Sequence, residues 1–254
     1  MQKSKIKKLK KILERSETES PEDIKEEAKD FLQSVDTNEL IAAEQEMIER
    51  GVDPASLGHL CAAHLEIMAD DLDKMKAQIP ENHPIAVLVA EHDEILKFLT
   101  ELEQLNQKIS LAKSAEQLPK KFFGQLQHLA HHLVAAEKHH QREEEVLFPQ
   151  LEKYGVYGPP QIMVMEHTTL RALKKELSKM AESGKIGDFV KFKEKFSKLS
   201  GELVANLRDH IFKENNILYP AALKVIPKAK WKKIGTDADK IGYCCFTPQH
   251  KLVS

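Results

Sequence analysis

The stretch HHQREEEVLFP, residues 139–149, returns about seventy residues later as HIFKENNILYP, residues 210–220. Each copy begins with His, places Glu four residues on, and closes with Leu, an aromatic residue and Pro. Residues four apart on a helix lie on one face, about one turn apart. His139 with Glu143, and His210 with Glu214, therefore each aim an imidazole nitrogen and a carboxylate oxygen the same way. A chain that does this twice in matched register must bring two helices side by side around a shared polar centre.

The rest of the chain supplies such helices. Gly and Pro are few and fall between apolar-periodic segments, and no long stretch alternates with period two, so the expected fold class is all-α. Four longer helices are expected near 84–109, 117–152, 160–183 and 187–219. Their short connectors favour antiparallel neighbours and an up-down four-helix bundle. Pro149 and Pro220 read as stops at or near the ends of the second and fourth helices. Residues 1–78 read as a small N-terminal helical domain, 79–225 as the bundle, and 226–254, with Trp231 and IGYCCFTP, as a tail packing back on the body.

The other two bundle helices add a His each in near-identical settings, EHDEI for His92 and EHTTL for His167. His132, seven residues before His139 on nearly the same stripe, is a further candidate ligand. A lone helical His is more often a surface or hydrogen-bonded core residue than a ligand. The doubled His-x3-Glu pair with a His on each remaining helix points instead to metal. One conflict stays open. Phe122, Leu126, Leu129 and Leu133 mark the buried side of the second helix, and that phase runs on to His140 and Glu144 rather than His139 and Glu143. The fourth helix phases without conflict through Phe196, Leu199, Leu203, Leu207, His210 and Glu214. A one-residue bulge in the second helix would reconcile it with the repeat. His140 and Glu144 stand as the alternative pair.

Imidazole and carboxylate donors without thiolate suit iron, manganese or zinc. So many ligands exceed what one tetrahedral zinc takes, and two ions bridged by Glu143 and Glu214 would use them all. A site rich in neutral nitrogen favours the ferrous state, and with it reversible small-ligand binding or redox sensing.

These residues resemble the hemerythrin-like (HHE cation-binding) family over about residues 84–222. HHQREEEVLFP and HIFKENNILYP are especially similar to the second- and fourth-helix motifs of the di-iron iron–sulfur-cluster repair proteins. The resemblance implies a non-haem di-iron site, oxo- or hydroxo-bridged, with His92, His139, Glu143, His167, His210 and Glu214 as ligands and the two glutamates as bridges. Those repair proteins carry a fifth His at the start of the second helix. None stands there in this chain, so His132 is the substitute candidate. They also carry paired cysteines in an N-terminal domain, whereas here the pair is Cys244 and Cys245 near the C-terminus. EQEMIERGVDPASLGHLCAAH resembles a small helical domain of unknown function (DUF438-like) that often precedes hemerythrin domains. Its His59, Cys61 and His64 read as a packed helix with a buried thiol rather than a second metal site.

The function expected is binding or sensing of dioxygen, nitric oxide, peroxide or iron, with a protein partner met through the N-terminal domain. The alternative is an iron–sulfur repair or peroxide- or nitric-oxide-reducing enzyme on the same site. A net charge of −2 argues against nucleic acid as partner. No run of about 18 apolar residues suggests a membrane span, no signal peptide is evident, and three cysteines do not make a disulfide framework. The expected location is cytoplasmic.

Overall fold

The computed structural model describes residues 79–248. The N-terminal helices expected before residue 79, with His59, Cys61 and His64, lie outside the described residues. Among the described residues there are helices and no strands, and no helix is long and apolar enough to cross a membrane.

Helix α1 runs Pro84–Leu111. It starts with Pro at its first position, where the missing N–H costs nothing, and the His83 Nδ1 accepts from the Ile85 N–H at 3.2 Å. Helix α2 (Phe122–Ala135) begins later than expected, since Ala115–Gln117 forms a separate 3₁₀ turn. At Ala136 the α geometry lapses (ψ −2°), and α3 (Glu137–Arg142) follows. A π-helical turn, Glu143–Leu147, then leads into α4 (Phe148–Lys153). Gly155, with φ 87°, closes α4: its N–H bonds the Glu152 carbonyl at 3.0 Å and the Val156 N–H bonds the Leu151 carbonyl at 3.0 Å. Only a residue free to adopt that left-handed conformation ends a helix this way at no steric cost.

Helix α5 spans Gly158–Ser183 and α6 spans Phe189–Lys213. A second π-helical turn, Glu214–Leu218, joins α6 to α7 (Tyr219–Val225). The expected stop at Pro220 is thus corrected: the helix runs on past it. A Pro lacks the N–H for the i→i−4 bond, and its ring collides with the carbonyl four residues back. A π turn widens the coil just before each Pro and removes that collision. Both π turns end two residues before a Pro, at Leu147 before Pro149 and Leu218 before Pro220. The repeated sequence therefore makes a repeated distortion. Helix α8 spans Trp231–Ile241, and Gly242 (φ 86°) turns the chain out of it.

The described chain divides into two compact units. One takes 79–80, 144–165 and 212–234. The other takes 81–143, 166–211 and 235–248 and contains the bundle core. In that core Ile95, Leu99 and Leu102 of α1 pack with Leu126, Leu129 and Leu133 of α2, Leu170 and Leu177 of α5, and Leu199, Leu203 and Leu207 of α6. Phe122 meets Phe196 edge-on at 5.7 Å. Leu102 has no exposed surface. Leu102→Ala is expected to lower stability by about 3 kcal/mol in urea unfolding, the usual cost of a cavity that collapses only in part. A loss under about 1 kcal/mol would place this side chain outside the packed core.

Candidate metal centre

Each bundle helix of the larger unit carries a buried histidine on its apolar face. The α6 stripe, Phe196, Leu199, Leu203 and Leu207, is buried throughout and continues to His210. Leading into the first copy of the repeat, on α2 and α3, the phase continues from Leu133 through Ala136 to His140, all buried. The lapse at Ala136 rotates the next turn, so His139 and Glu143 are buried too. His139 and His140 are thus both buried. Glu143 is buried while Glu144 is only half-buried, so the repeat's carboxylate is the inner one.

The imidazoles meet in two pairs. His92 Nε2 lies 3.0 Å from His139 Nε2, and His167 Nε2 lies 3.0 Å from His210 Nε2. Glu143 joins them: its Oε2 is 3.5 Å from His139 Nε2 and 3.5 Å from His167 Nε2. His140 stacks on His167 with centroids 3.9 Å apart. His140, His167 and His210 form one group whose ligand atoms lie within 4.8 Å of one another, as a metal ion requires. Glu214, one turn past His210 and the first residue of the second π turn, has no exposed surface.

Two carboxylates absent from the sequence-derived set orient these rings. Glu91 Oε2 accepts from His139 Nδ1 at 2.8 Å, and Glu166 Oε2 accepts from His210 Nδ1 at 2.8 Å. Each is the Glu of a Glu-His dipeptide, so α1 and α5 each give one ligand candidate inward and one carboxylate to the next helix. The twice-written EH dipeptide was the available signal. Glu91 is fully buried; Arg142 Nη2 donates to its two oxygens at 2.7 and 2.5 Å, and the Thr247 hydroxyl donates to Oε1. Burial works to raise the Glu91 pKa, but the hydrogen bonds from His139 and Thr247 and the Arg142 charge outweigh it and hold the group at about 2. An ionised Glu91 can only accept, so the hydrogen of neutral His139 sits on Nδ1 and its Nε2 is a bare lone pair. Burial keeps His139 and, more strongly, His140 below the ordinary histidine range. Glu166 keeps 26% of its side chain exposed.

Imidazoles with Nδ1 held by carboxylates, and Nε2 atoms converging on a shared carboxylate, are the donor set a metal takes from protein. The residues fit the metal that the pattern implies. His132 is not brought into this group. It is half-exposed, stacks on Phe98 at 4.8 Å and lies 3.3 Å from the Cys245 sulfur. Its place seven residues before His139 presumed an unbroken helix, and the lapse at Ala136 intervenes.

Residues 83–222 match the hemerythrin HHE cation binding domain, over half of the 254 residues. The chain belongs to the hemerythrin HHE family. Residues 7–74 match a family of unknown function, DUF438, and lie outside the described part of the hemerythrin chain. No curated protein matches the sequence. For a hemerythrin domain, the buried His and Glu groups are the part of the bundle suited to a cation.

Proposed function

We propose that this hemerythrin-type bundle holds about two non-haem iron ions and uses them to bind or sense a small oxidising ligand: dioxygen, nitric oxide or peroxide. The observation that carries the reading is Glu143, whose Oε2 is 3.5 Å from one member of each histidine pair. A carboxylate so shared is suited to bridge two ions. Glu214 stands in the matching place of the other His-x3-Glu copy, at the first residue of a matching π turn, and is the proposed second bridge. His92, His139, His167 and His210 are the proposed nitrogen ligands, and His140 adds a further nitrogen beside His167. A ferrous pair supplies electrons and an open coordination position for such a ligand. Glu91 and Glu166 hold the Nδ1 protons of His139 and His210, which fixes ring orientation and strengthens the Nε2 donor. The apolar stripes that end in these histidines exclude water from the centre. Residues 7–74 are the proposed relay to a partner protein.

Mixing the reduced, iron-loaded protein anaerobically with each of the three ligands tests this. A new near-ultraviolet or visible band with at least one ligand is expected. A spectrum that none of them alters would overturn the binding reading.

A further inference from the structure

The segment after α8 carries two thiols and touches the metal centre's outer carboxylate. Gly242 turns the chain out of α8, its N–H bonded to the Ala238 carbonyl at 3.1 Å. The Tyr243 ring then lies beneath the Arg142 guanidinium, 4.8 Å from its carbon. Cys244 is buried with its sulfur 3.9 Å from Arg142 Nη2, and burial pushes its thiol up to about 12. Thr247 donates to Glu91. The Thr247 N–H also bonds the Cys244 carbonyl at 3.0 Å, closing a turn with Cys245 at its tip. Cys245 is thus the exposed thiol of the pair, held between two residues that contact the Glu91–Arg142 network.

Its sulfur lies 3.3 Å from His132 Nδ1. That ring is fixed in place. It stacks on Phe98 with planes 4° apart, and Phe246 meets it edge-on at 6.0 Å. His128 flanks it at 4.4 Å. Partial burial, with His128 and His131 nearby, lowers its basicity against the opposing pull of Glu101, which leaves it neutral and able to accept a proton. A thiol within reach of a neutral imidazole, itself oriented by a third group, is the arrangement of an activated nucleophile.

We propose that Cys245 and His132 form a second, redox-reactive site, at which hydroperoxides oxidise the Cys245 thiol and the 243–247 turn passes that change to Glu91. His132 Nδ1 takes the proton from sulfur. The thiolate attacks one peroxide oxygen, so an S–O bond forms as the O–O bond breaks. Sulfur loses two electrons and becomes a sulfenic acid; the departing oxygen leaves as hydroxide or alkoxide and takes the proton from His132. The sulfenic acid replaces the 3.3 Å thiol contact with the imidazole, so the turn shifts and Thr247 loosens from Glu91. In the metal-loaded protein this acts on proposed ligand His139, and that extension rests on the function proposed above.

The test uses the full chain, hydrogen peroxide and a sulfenic-acid trap read by fragment mass spectrometry, which separates Cys244 from Cys245. Cys245 is expected to be trapped about ten times faster in wild type than in His132→Gln, with Cys244 unreactive. Thermal melting confirms that both proteins are folded. Equal rates, or reaction first at Cys244, would overturn the thiol pair. For the coupling, peroxide is expected to lower the melting midpoint of metal-free wild type by about 3 °C and to leave that of Cys245→Ser unchanged. Equal shifts would overturn it. Neither readout needs bound iron, so a chain that holds no iron refutes the metal reading and leaves this one to its own result.

Discussion

Glu91→Ala is expected to destabilise the metal-free protein by about 3–5 kcal/mol, the cost of leaving a buried ion without its partner. Glu91 has no exposed surface and Arg142 has 3%. Two Arg142 hydrogen bonds, at 2.7 and 2.5 Å, end on the carboxylate, and so do the His139 Nδ1–H and the Thr247 hydroxyl. Truncation strands a guanidinium and two donors where water does not reach. Removing both ions avoids much of that penalty, so Glu91→Ala with Arg142→Met should recover a large part of the loss. Glu166→Ala is the internal comparison. It breaks the equivalent bond to His210, but at a side chain with 26% exposure where water substitutes, and about 1 kcal/mol is expected. Urea unfolding of the four proteins reads all of this. Equal losses for Glu91→Ala and Glu166→Ala would show that the buried Arg142 pairing adds nothing.

Glu143→Ala is expected to lower iron affinity more than about a hundred-fold, since losing only an outer partner of a ligand already costs 10–100-fold. Its Oε2 lies 3.5 Å from the Nε2 of both His139 and His167. Without it each histidine pair keeps its nitrogens but loses the shared anion. Glu144→Ala is expected to keep iron near the wild-type level, because Glu144 is half-buried and outside the group. Competition against a chelator of known affinity separates them. Iron lost from Glu144→Ala and kept by Glu143→Ala would reverse the assignment.

His210 was legible because it obeys two rules at once, apolar periodicity and the repeated His-x3-Glu spacing. The α6 stripe shows this best: one period runs unbroken from Phe196 to His210, so position alone predicts burial. On α2 and α3 the same rule pointed to His140 and the repeat to His139. Both residues are buried, because periodicity assumes about 3.6 residues per turn and this helix lapses at Ala136. The same assumption misplaced His132. The widening at the two π turns had a visible cause in Pro149 and Pro220, which read as stops because a Pro ends most helices; inside a longer helix it distorts instead. Glu91, Arg142 and Thr247 were out of reach for a different reason. Their contacts join residues 51 and 156 positions apart, and no local pattern encodes such a meeting. Glu91 and Glu166 reach across to neighbouring helices, so the Glu-His dipeptide becomes informative only once the helices are paired.

The most direct test is the iron-to-protein ratio and absorption spectrum of wild type purified from iron-replete cells, set beside His210→Ala. About two irons per chain, with near-ultraviolet charge-transfer bands that His210→Ala loses, is the expected result. Wild type that emerges without metal, or His210→Ala that retains the full iron and the same bands, would contradict the account.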